Sequence, residues 1–120
     1  MLSPIYKTFD IVVVPFPFVD AQKTKNRPAL VISTKQFNQD GNSVLMMITS
    51  ALHPHWYLDT EITDLKKAGL EKKSVIRTKL FTIDNRLIKG CIGSLSMQDQ
   101  VSFSKNILCL LDEVINVNTI

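Results

Sequence analysis

The segment from residue 10 to residue 33 decides the fold, and it reads DIVVVPFPFVDAQKTKNRPALVIS. Its two apolar runs, Ile11–Val14 and Arg27–Ser33, are rich in β-branched residues, which are typical of buried strands. Between them, Phe18–Asn26 is polar and lysine-rich, and this composition predicts a loop. We therefore expect two strands joined by a basic loop, with Arg27 at the point where the loop becomes a strand.

Pro15 and Pro17 follow the first apolar run, and neither has an amide hydrogen to donate. Residues two apart in a strand point their amides to the same edge. Both losses therefore fall on one edge of the first strand, and we expect its other edge to remain able to pair.

The rest of the chain predicts further short strands and one helix. The predicted strands are Ser43–Thr49, Trp56–Thr63, Ser74–Ile83 and a short Arg86–Ile92. Ser96 precedes Asp99 by three residues, a spacing typical of a helix N-cap. The residues that then fall on one face at helical spacing are Val101, Ser104, Leu108, Leu111 and Ile115, flanked by Ile107 and Val114. They predict an amphipathic helix that covers one side of the sheet.

The predicted fold is mainly β, of the α+β class. It is a small, strongly bent antiparallel sheet or partly open barrel with a C-terminal helix, and residues 1–120 are expected to form one domain. No apolar run approaches the roughly 20 residues that span a bilayer. The N-terminus lacks the charged and apolar regions of a signal peptide. We expect a cytoplasmic protein without a membrane segment.

The sequence favours no metal or cofactor site. Cys91 and Cys109 stand in apolar sequence surroundings, which predicts two buried free thiols in a reducing compartment. No third ligand at a recognisable spacing accompanies His53 and His55. We therefore expect no metal and no cofactor.

The charge is mildly basic, at +3 with a pI near 9.0, and its distribution says more than its size. An early cluster comprises Lys23, Lys25, Arg27 and Lys35, and a late cluster comprises Lys66, Lys67, Lys72, Lys73, Arg77 and Lys79. A fold that brought both clusters to one side would carry a positive face suited to phosphate backbones. The alternative is two solvated loops with no common face.

Arg27 and the hydroxyls that end the third predicted strand, Thr49 and Ser50, are suited to binding an anion. A guanidinium matches phosphate oxygens with two parallel hydrogen bonds, and a hydroxyl can donate another. Arg27 could equally form a salt bridge at a strand end, for example with Asp20, and Thr49 could simply be a β-branched strand residue.

At these motifs the chain resembles the MazF/PemK-type toxins of bacterial type II toxin–antitoxin pairs. The matching segments are Asp10–Phe18 (DIVVVPFPF), Arg27–Ser33 (RPALVIS), Ile48–Ser50 (ITS) and Leu80–Leu87 (LFTIDNRL). They follow the family's order with similar spacing, and the resemblance extends over most of the chain. Two positions depart from the family pattern. Phe9 stands where glycine is common, and Lys79 stands where glutamine or an acidic residue is common.

The resemblance implies an SH3-like, partly open β-barrel that forms a symmetric homodimer. It also implies a metal-independent endoribonuclease that cleaves single-stranded RNA at short sequences. Arg27 and Thr49 occupy the positions of the family's catalytic pair. The expected partners are single-stranded RNA and a small antitoxin whose acidic tail folds across the basic groove.

Single-stranded RNA is bound by basic groups beside aromatic faces. The candidate RNA-binding residues are Lys23, Lys25, Ser50, His55, Arg77 and Lys79. The candidate aromatic residues are Phe16, Phe18, Trp56 and Tyr57, although each could instead pack in the core or an interface.

Two other functions remain open at the level of sequence. The same scaffold could act without nuclease activity, by protein contact, as in the gyrase-poisoning CcdB toxins that the fold class resembles. A hydrolase could instead use His53 and His55 as its acid–base pair, because histidine has a suitable pKa.

Overall fold

The computed structural model describes residues 4–17 and 24–118, and within them six strands form one antiparallel sheet. The strands are β1 (Asp10–Pro17), β2 (Thr24–Val31), β3 (Asn42–Ser50), β4 (Thr60–Glu61), β5 (Ser74–Asp84) and β6 (Gly90–Ser94). The helices are α1 (Lys35–Asn38), α2 (Leu65–Ala68), α3 (Met97–Leu110) and α4 (Asp112–Ile115), and Asn85–Leu87 form a single 3₁₀ turn. The spatial order of the strands is β4-β5-β3-β2-β1-β6.

The prediction for the edges of β1 is confirmed. β1 pairs with β2 as far as both prolines, since Pro15 lies opposite Asn26 and Pro17 opposite Thr24. On the other edge, pairing with β6 ends at Val13. The prolines therefore close one edge of the strand and leave the other intact.

Three predicted boundaries were wrong. β2 already begins at Thr24, so the loop predicted for Phe18–Asn26 is shorter, and residues 18–23 lie outside the described part of the chain. The strand predicted for Trp56–Thr63 contracts to β4, because a turn at Trp56 and Asp59 occupies its first half. The strand predicted for Arg86–Ile92 is replaced by the 3₁₀ turn and β6.

The sheet curls into a half-barrel with apolar clusters on both faces. One cluster contains Ile48, Ile76 and Phe103, and α3 covers it. The other contains Val14, Ala29 and Leu45 on the opposite face. Because successive strand residues alternate between faces, these two sets assign a face to every neighbouring side chain.

The two edges of the curled sheet approach each other through α2. A Cβ at Gly93 of β6 would collide with the backbone of Ala68, and a Cβ at Gly69, which follows α2, would collide with the backbone of Ile92. Gly69 also has a φ of 75°, which favours glycine. These two glycines let backbone pack on backbone where the barrel nearly closes.

The predicted helix exists, but its predicted covering face was wrong at the centre and right only at its flank, where Ile107 packs against the apolar cluster. Asp99, Phe103 and Ile107 face the sheet, whereas Val101 and Leu108 are about half exposed. Polar contacts dock the helix: the buried Asp99 carboxylate accepts hydrogen bonds from the Thr63 amide at 3.0 Å and the Thr63 hydroxyl at 2.6 Å. A count of apolar residues alone does not detect such a face. The Ser96 N-cap is confirmed, since its hydroxyl accepts from the Asp99 amide at 3.2 Å.

Three further observations complete the description. Cys91 and Cys109 are both exposed, so the prediction of two buried thiols was wrong. Asn85 is buried, where it accepts from the Ser43 hydroxyl at 2.6 Å and donates to the Asn38 carbonyl, so this part of the LFTIDNRL segment has a structural role.

Across residues 4–17 and 24–118, none of the helices is both long and apolar enough to cross a membrane.

Candidate functional site

A cleft opens where β2 and β3 part. The two strands pair through three residues on each side, from Ala29 opposite Met47 to Val31 opposite Leu45. Pro28, which has no amide hydrogen to donate, precedes the first of these pairs. Continuing the register by two residues places Arg27 opposite Thr49, beyond the end of the ladder. The side chains that the sequence singled out therefore meet where the sheet splits.

Both residues line a cavity of about 310 Å³. Its other lining residues are Pro28, Ile48, Ser50, Gly69, Leu70, Glu71, Lys72, Ser74 and Ile92. Thr49 is 5% exposed and Arg27 is half-buried, so the backbone around them fixes both side chains while the cavity remains open to solvent. The cavity is of the size and mixed polarity that admits part of a nucleotide.

Arg27 and Thr49 share one face of the sheet. Ala29 of β2 and Leu45 of β3 belong to the cluster opposite α3, and Arg27 and Thr49 lie an even number of residues away on the same strands. Lys25, which is exposed, follows the same alternation two residues before Arg27. This face therefore carries a row of cations that leads towards Thr49.

The cavity also contains residues that no sequence motif identified. Lys72 adds a second cation and Glu71 a carboxylate, and both come from the segment before β5. Lys72 belongs to the late basic cluster, so its charge was visible in the sequence although its position was not. Glu71 carried no signal, because only the approach of α2 to β6 brings its segment to the cavity.

Arg77, a candidate RNA-binding residue, is 7% exposed and is held by protein groups. Its guanidinium donates to both carboxylate oxygens of Asp59, at 3.2 and 2.8 Å, and to the Pro54 carbonyl at 2.7 Å. Burial raises the pKa of Asp59, but hydrogen bonds from Arg77 and from the Trp56 amide outweigh it and hold that pKa below its ordinary value. Arg77 therefore supports the loop rather than presenting a free charge.

Lys79 and Arg77 both contact the indole of Trp56. The Lys79 Nζ lies 5.0 Å and the Arg77 Cζ 4.8 Å from a ring centroid of Trp56. A bulge lies at the same point: Arg77, Thr78 and Lys79 of β5 together stand opposite the single residue Met47 of β3. Arg77 and Lys79 are two residues apart on β5, and the alternation of side chains places both on one face, which agrees with this contact.

Of the remaining candidate RNA-binding residues, one lines the cavity and the others do not or lie outside the described residues. Ser50 is part of it. His55 lies outside it on the exposed loop, with its Nδ1 3.6 Å from Asp59 Oδ2, and His53 is also exposed. Lys23, and Asp20 as a partner for Arg27, fall outside the described residues.

Of the two aromatic candidates that follow the first apolar run, Phe16 and Phe18, the described one does not line the cavity. Phe16 packs edge-on against Phe81 with the ring centroids 4.7 Å apart, so its ring belongs to the core on that face. Phe18 lies outside the described residues. In residues 4–17 and 24–118, His, Cys, Asp and Glu form no group of three that could hold a metal ion.

A larger cavity of about 580 Å³ lies elsewhere, beside Asp40, Asp84 and Arg86. Hydrogen bonds from the side chain and amide of Arg86 lower the pKa of Asp84 to about 2. This pair neutralises itself, and the cavity brings together none of the residues expected to bind phosphate.

The fold and the cleft define a class: a small half-barrel protein in which an arginine and a threonine line one cavity at a split in the sheet. Residues 7–109 match the family described as the PemK-like, MazF-like toxin of type II toxin-antitoxin systems. The chain therefore belongs to that family, whose members are generally endoribonucleases.

Solved structures share the fold. The MazE–MazF complex from Deinococcus radiodurans superposes with a TM-score of 0.70 at 19% identity, over 91% of this chain and 98% of that one. The Mycobacterium tuberculosis toxin MazF-mt6 gives 0.66 at 18% identity, over 86% and 96%. An endoribonuclease in complex with its cognate antitoxin from a mycobacterial species gives 0.68 at 10% identity, over 89% and 95%. A comparison with curated protein sequences gives no match.

Proposed function

We propose that this protein is a sequence-specific, metal-independent endoribonuclease that cleaves single-stranded RNA as the toxin of a type II toxin–antitoxin pair. The observation that carries the proposal is the meeting of Arg27 and Thr49 in one open cavity. Membership of the toxin family supports the reaction class.

Cleavage of RNA by its own 2′-hydroxyl forms one bond to phosphorus, breaks another and moves two protons. The 2′-oxygen attacks phosphorus and gives its proton to a base, the bond from phosphorus to the 5′-oxygen breaks, and the leaving oxygen takes up a proton. The products are a 2′,3′-cyclic phosphate and a free 5′-hydroxyl. The catalyst must move these protons and stabilise the negative charge that builds on the phosphoryl oxygens.

Arg27 meets the electrostatic need directly, because its planar guanidinium can hold two phosphoryl oxygens. Thr49 donates a hydrogen bond to the same phosphoryl group, and Lys72 adds charge at the rim. Arg27 is a poor proton carrier on physical grounds, since the pKa of arginine exceeds about 12. Its share in proton transfer rests on the family resemblance.

The proposed partners follow from the same surface. The antitoxin would place acidic residues over Arg27, Lys25 and Lys72, so that cleavage is blocked while the complex lasts. Two of the structures described above contain a toxin of this fold bound to its antitoxin. We also propose a homodimer, which sedimentation velocity of the purified protein would test.

The test is incubation of purified protein with a long single-stranded RNA in EDTA, with 5′ ends mapped by primer extension. We expect discrete cuts at a recurring short sequence. Arg27→Ala should abolish them, and His55→Ala should leave them unchanged because His55 lies outside the cavity.

Two results would redirect the proposal. Intact RNA from a folded protein would favour a toxin that acts by protein contact. Cleavage that survives Arg27→Ala but not His55→Ala would favour the histidine-dependent hydrolase.

A further inference from the structure

We infer that the indole of Trp56 is a stacking platform for an RNA base next to the nucleotide that occupies the cleft. This inference extends the proposed function, because it names a binding subsite for the same substrate. It rests on how the loop after β3 is built, on which face of the sheet the ring lies, and on the charges around it.

The loop that carries Trp56 is anchored by one buried carboxylate. The Asp59 side chain is 1% exposed, and it accepts from the Trp56 amide at 2.9 Å and from the Arg77 guanidinium. The Asp59 amide in turn donates to the Trp56 carbonyl at 3.1 Å, which closes a tight turn. Trp56 is therefore held in position before any ligand arrives, so little ordering cost remains for binding.

The ring lies on the face of the sheet that carries Thr49. Ile48 and Ile76 pair across β3 and β5 and both point into the cluster under α3. Thr49 and Arg77, each one residue further along, therefore point to the opposite face. Thr49 pairs with Val75, two residues before Arg77, which places the Cα atoms of Thr49 and Arg77 on the order of 8 Å apart by strand geometry. Because the indole contacts the Arg77 guanidinium, it lies beside the cleft on this face, where the neighbouring nucleotide of a splayed single strand would pass.

The surroundings of the ring are those of a nucleic-acid contact rather than of a core. Trp56 is 41% exposed and belongs to neither apolar cluster. Its close cationic neighbours are the buried Arg77 and the exposed Lys79. An aromatic face beside a mobile lysine accepts a base by stacking while the lysine pairs with the adjacent phosphate. A protein partner could also contact this ring, but it would have no need of Lys79 beside it or of Arg27 in the cleft, so these cations favour RNA as the ligand.

The chain offers a direct reporter, because Trp56 is its single tryptophan. Titration with a short, uniformly 2′-O-methylated RNA that spans a mapped cleavage site would follow binding without cleavage. We expect saturable quenching of the tryptophan emission. If no cleavage site has been found, homopolymeric single-stranded RNAs serve as the probes.

Variants separate stacking from folding. Measured by fluorescence anisotropy of a labelled RNA, Trp56→Ala should raise the Kd by about 5- to 100-fold, while Trp56→Phe stays within about threefold. The KM for RNA cleavage should rise with the Kd, and kcat should remain near that of the wild type. Phe37→Ala, which removes another aromatic ring of similar exposure on α1, is the matched control and should change neither. Thermal unfolding of each variant shows whether it is folded.

The outcomes distinguish the two proposals. Discrete RNA cleavage together with an unchanged emission and an unchanged Kd in folded Trp56→Ala would overturn the platform and leave the nuclease standing. Absence of cleavage with RNA-dependent quenching would contradict the nuclease and retain the binding subsite. Loss of antitoxin binding or of the dimer in Trp56→Ala, with RNA binding intact, would overturn the platform in favour of a protein contact.

Discussion

The proposed role of Arg27 depends on where the β2–β3 ladder ends as well as on the chemistry of its guanidinium. An arginine within a complete ladder would be a surface charge on a strand. Here the pairing of β2 with β3 ends at Ala29, two residues after Arg27 along the chain, and Arg27 borders a cavity that Thr49 also lines. The proposed action on one phosphate rests on this shared cavity, because catalytic groups must be held in position around the reacting atoms.

Lys72 contributes charge to the same cavity, and its contribution is measurable through salt. Each phosphate contact on single-stranded nucleic acid adds about 0.7 to the slope of log K against log salt concentration. We expect Lys72→Ala to reduce that slope by about this amount for the 2′-O-methylated RNA. Lys105→Ala, on the exposed side of α3, is the control and should leave the slope as it is. Equal slopes for Lys72→Ala and the wild type would remove Lys72 from the RNA interface.

Among the elements, the entry into β1 departs most from what the sequence favours. Phe9 has a φ of 76°, a left-handed conformation that side chains other than glycine adopt at a cost. Its ring packs edge-on against Phe103 with the centroids 6.4 Å apart, and its backbone bonds to Val31 and Leu95. Packing against α3 thus holds Phe9 in a left-handed conformation that glycine would adopt without this cost.

This position predicts an unusual order of stability. Both Phe9→Ala and Phe9→Gly lose the contact with Phe103, so both should lower the free energy of unfolding. Because the positive φ penalises Ala but not Gly, Phe9→Gly should be the more stable of the two by about 0.5–1 kcal/mol in urea unfolding.

The control reverses that order at an ordinary helical site. At the exposed Lys105 in the interior of α3, Ala should exceed Gly in stability by about 1 kcal/mol. If Ala exceeded Gly at Phe9 as well, the left-handed conformation would not be the cause of the difference.

At the scale of the whole molecule, the alternation of side chains and the apolar runs were enough to predict a bent antiparallel sheet with a terminal helix. The pairing of Arg27 with Thr49 was instead expected from the resemblance to the toxin family, because the strand patterns alone left a salt bridge for Arg27 and a plain strand position for Thr49 equally open. What could not be predicted depends on contacts distant in sequence. The burial of Arg77 requires Asp59, and the inward face of α3 is chosen by Asp99 meeting Thr63.

The bulge in β5 has the same origin. Nothing in the residues Arg77–Lys79 signals that they will face one residue of β3, or that both cations will contact Trp56. Likewise, Glu71 and Lys72 reach the cavity only because Gly69 and Gly93 allow the barrel edges to approach. Local propensity carries no information about such closures.

The measurement that tests the central claim most directly is a double-mutant cycle on RNA cleavage in EDTA, with Arg27→Lys, Thr49→Val and the two combined. Each single change should lower kcat/KM by roughly 10²- to 10³-fold, because each removes a donor to the reacting phosphate. The combined variant should lose clearly less than the product of the two factors, since groups that act on one phosphate are coupled. Wild-type cleavage by either single variant, or losses that simply multiply, would contradict a shared site for Arg27 and Thr49.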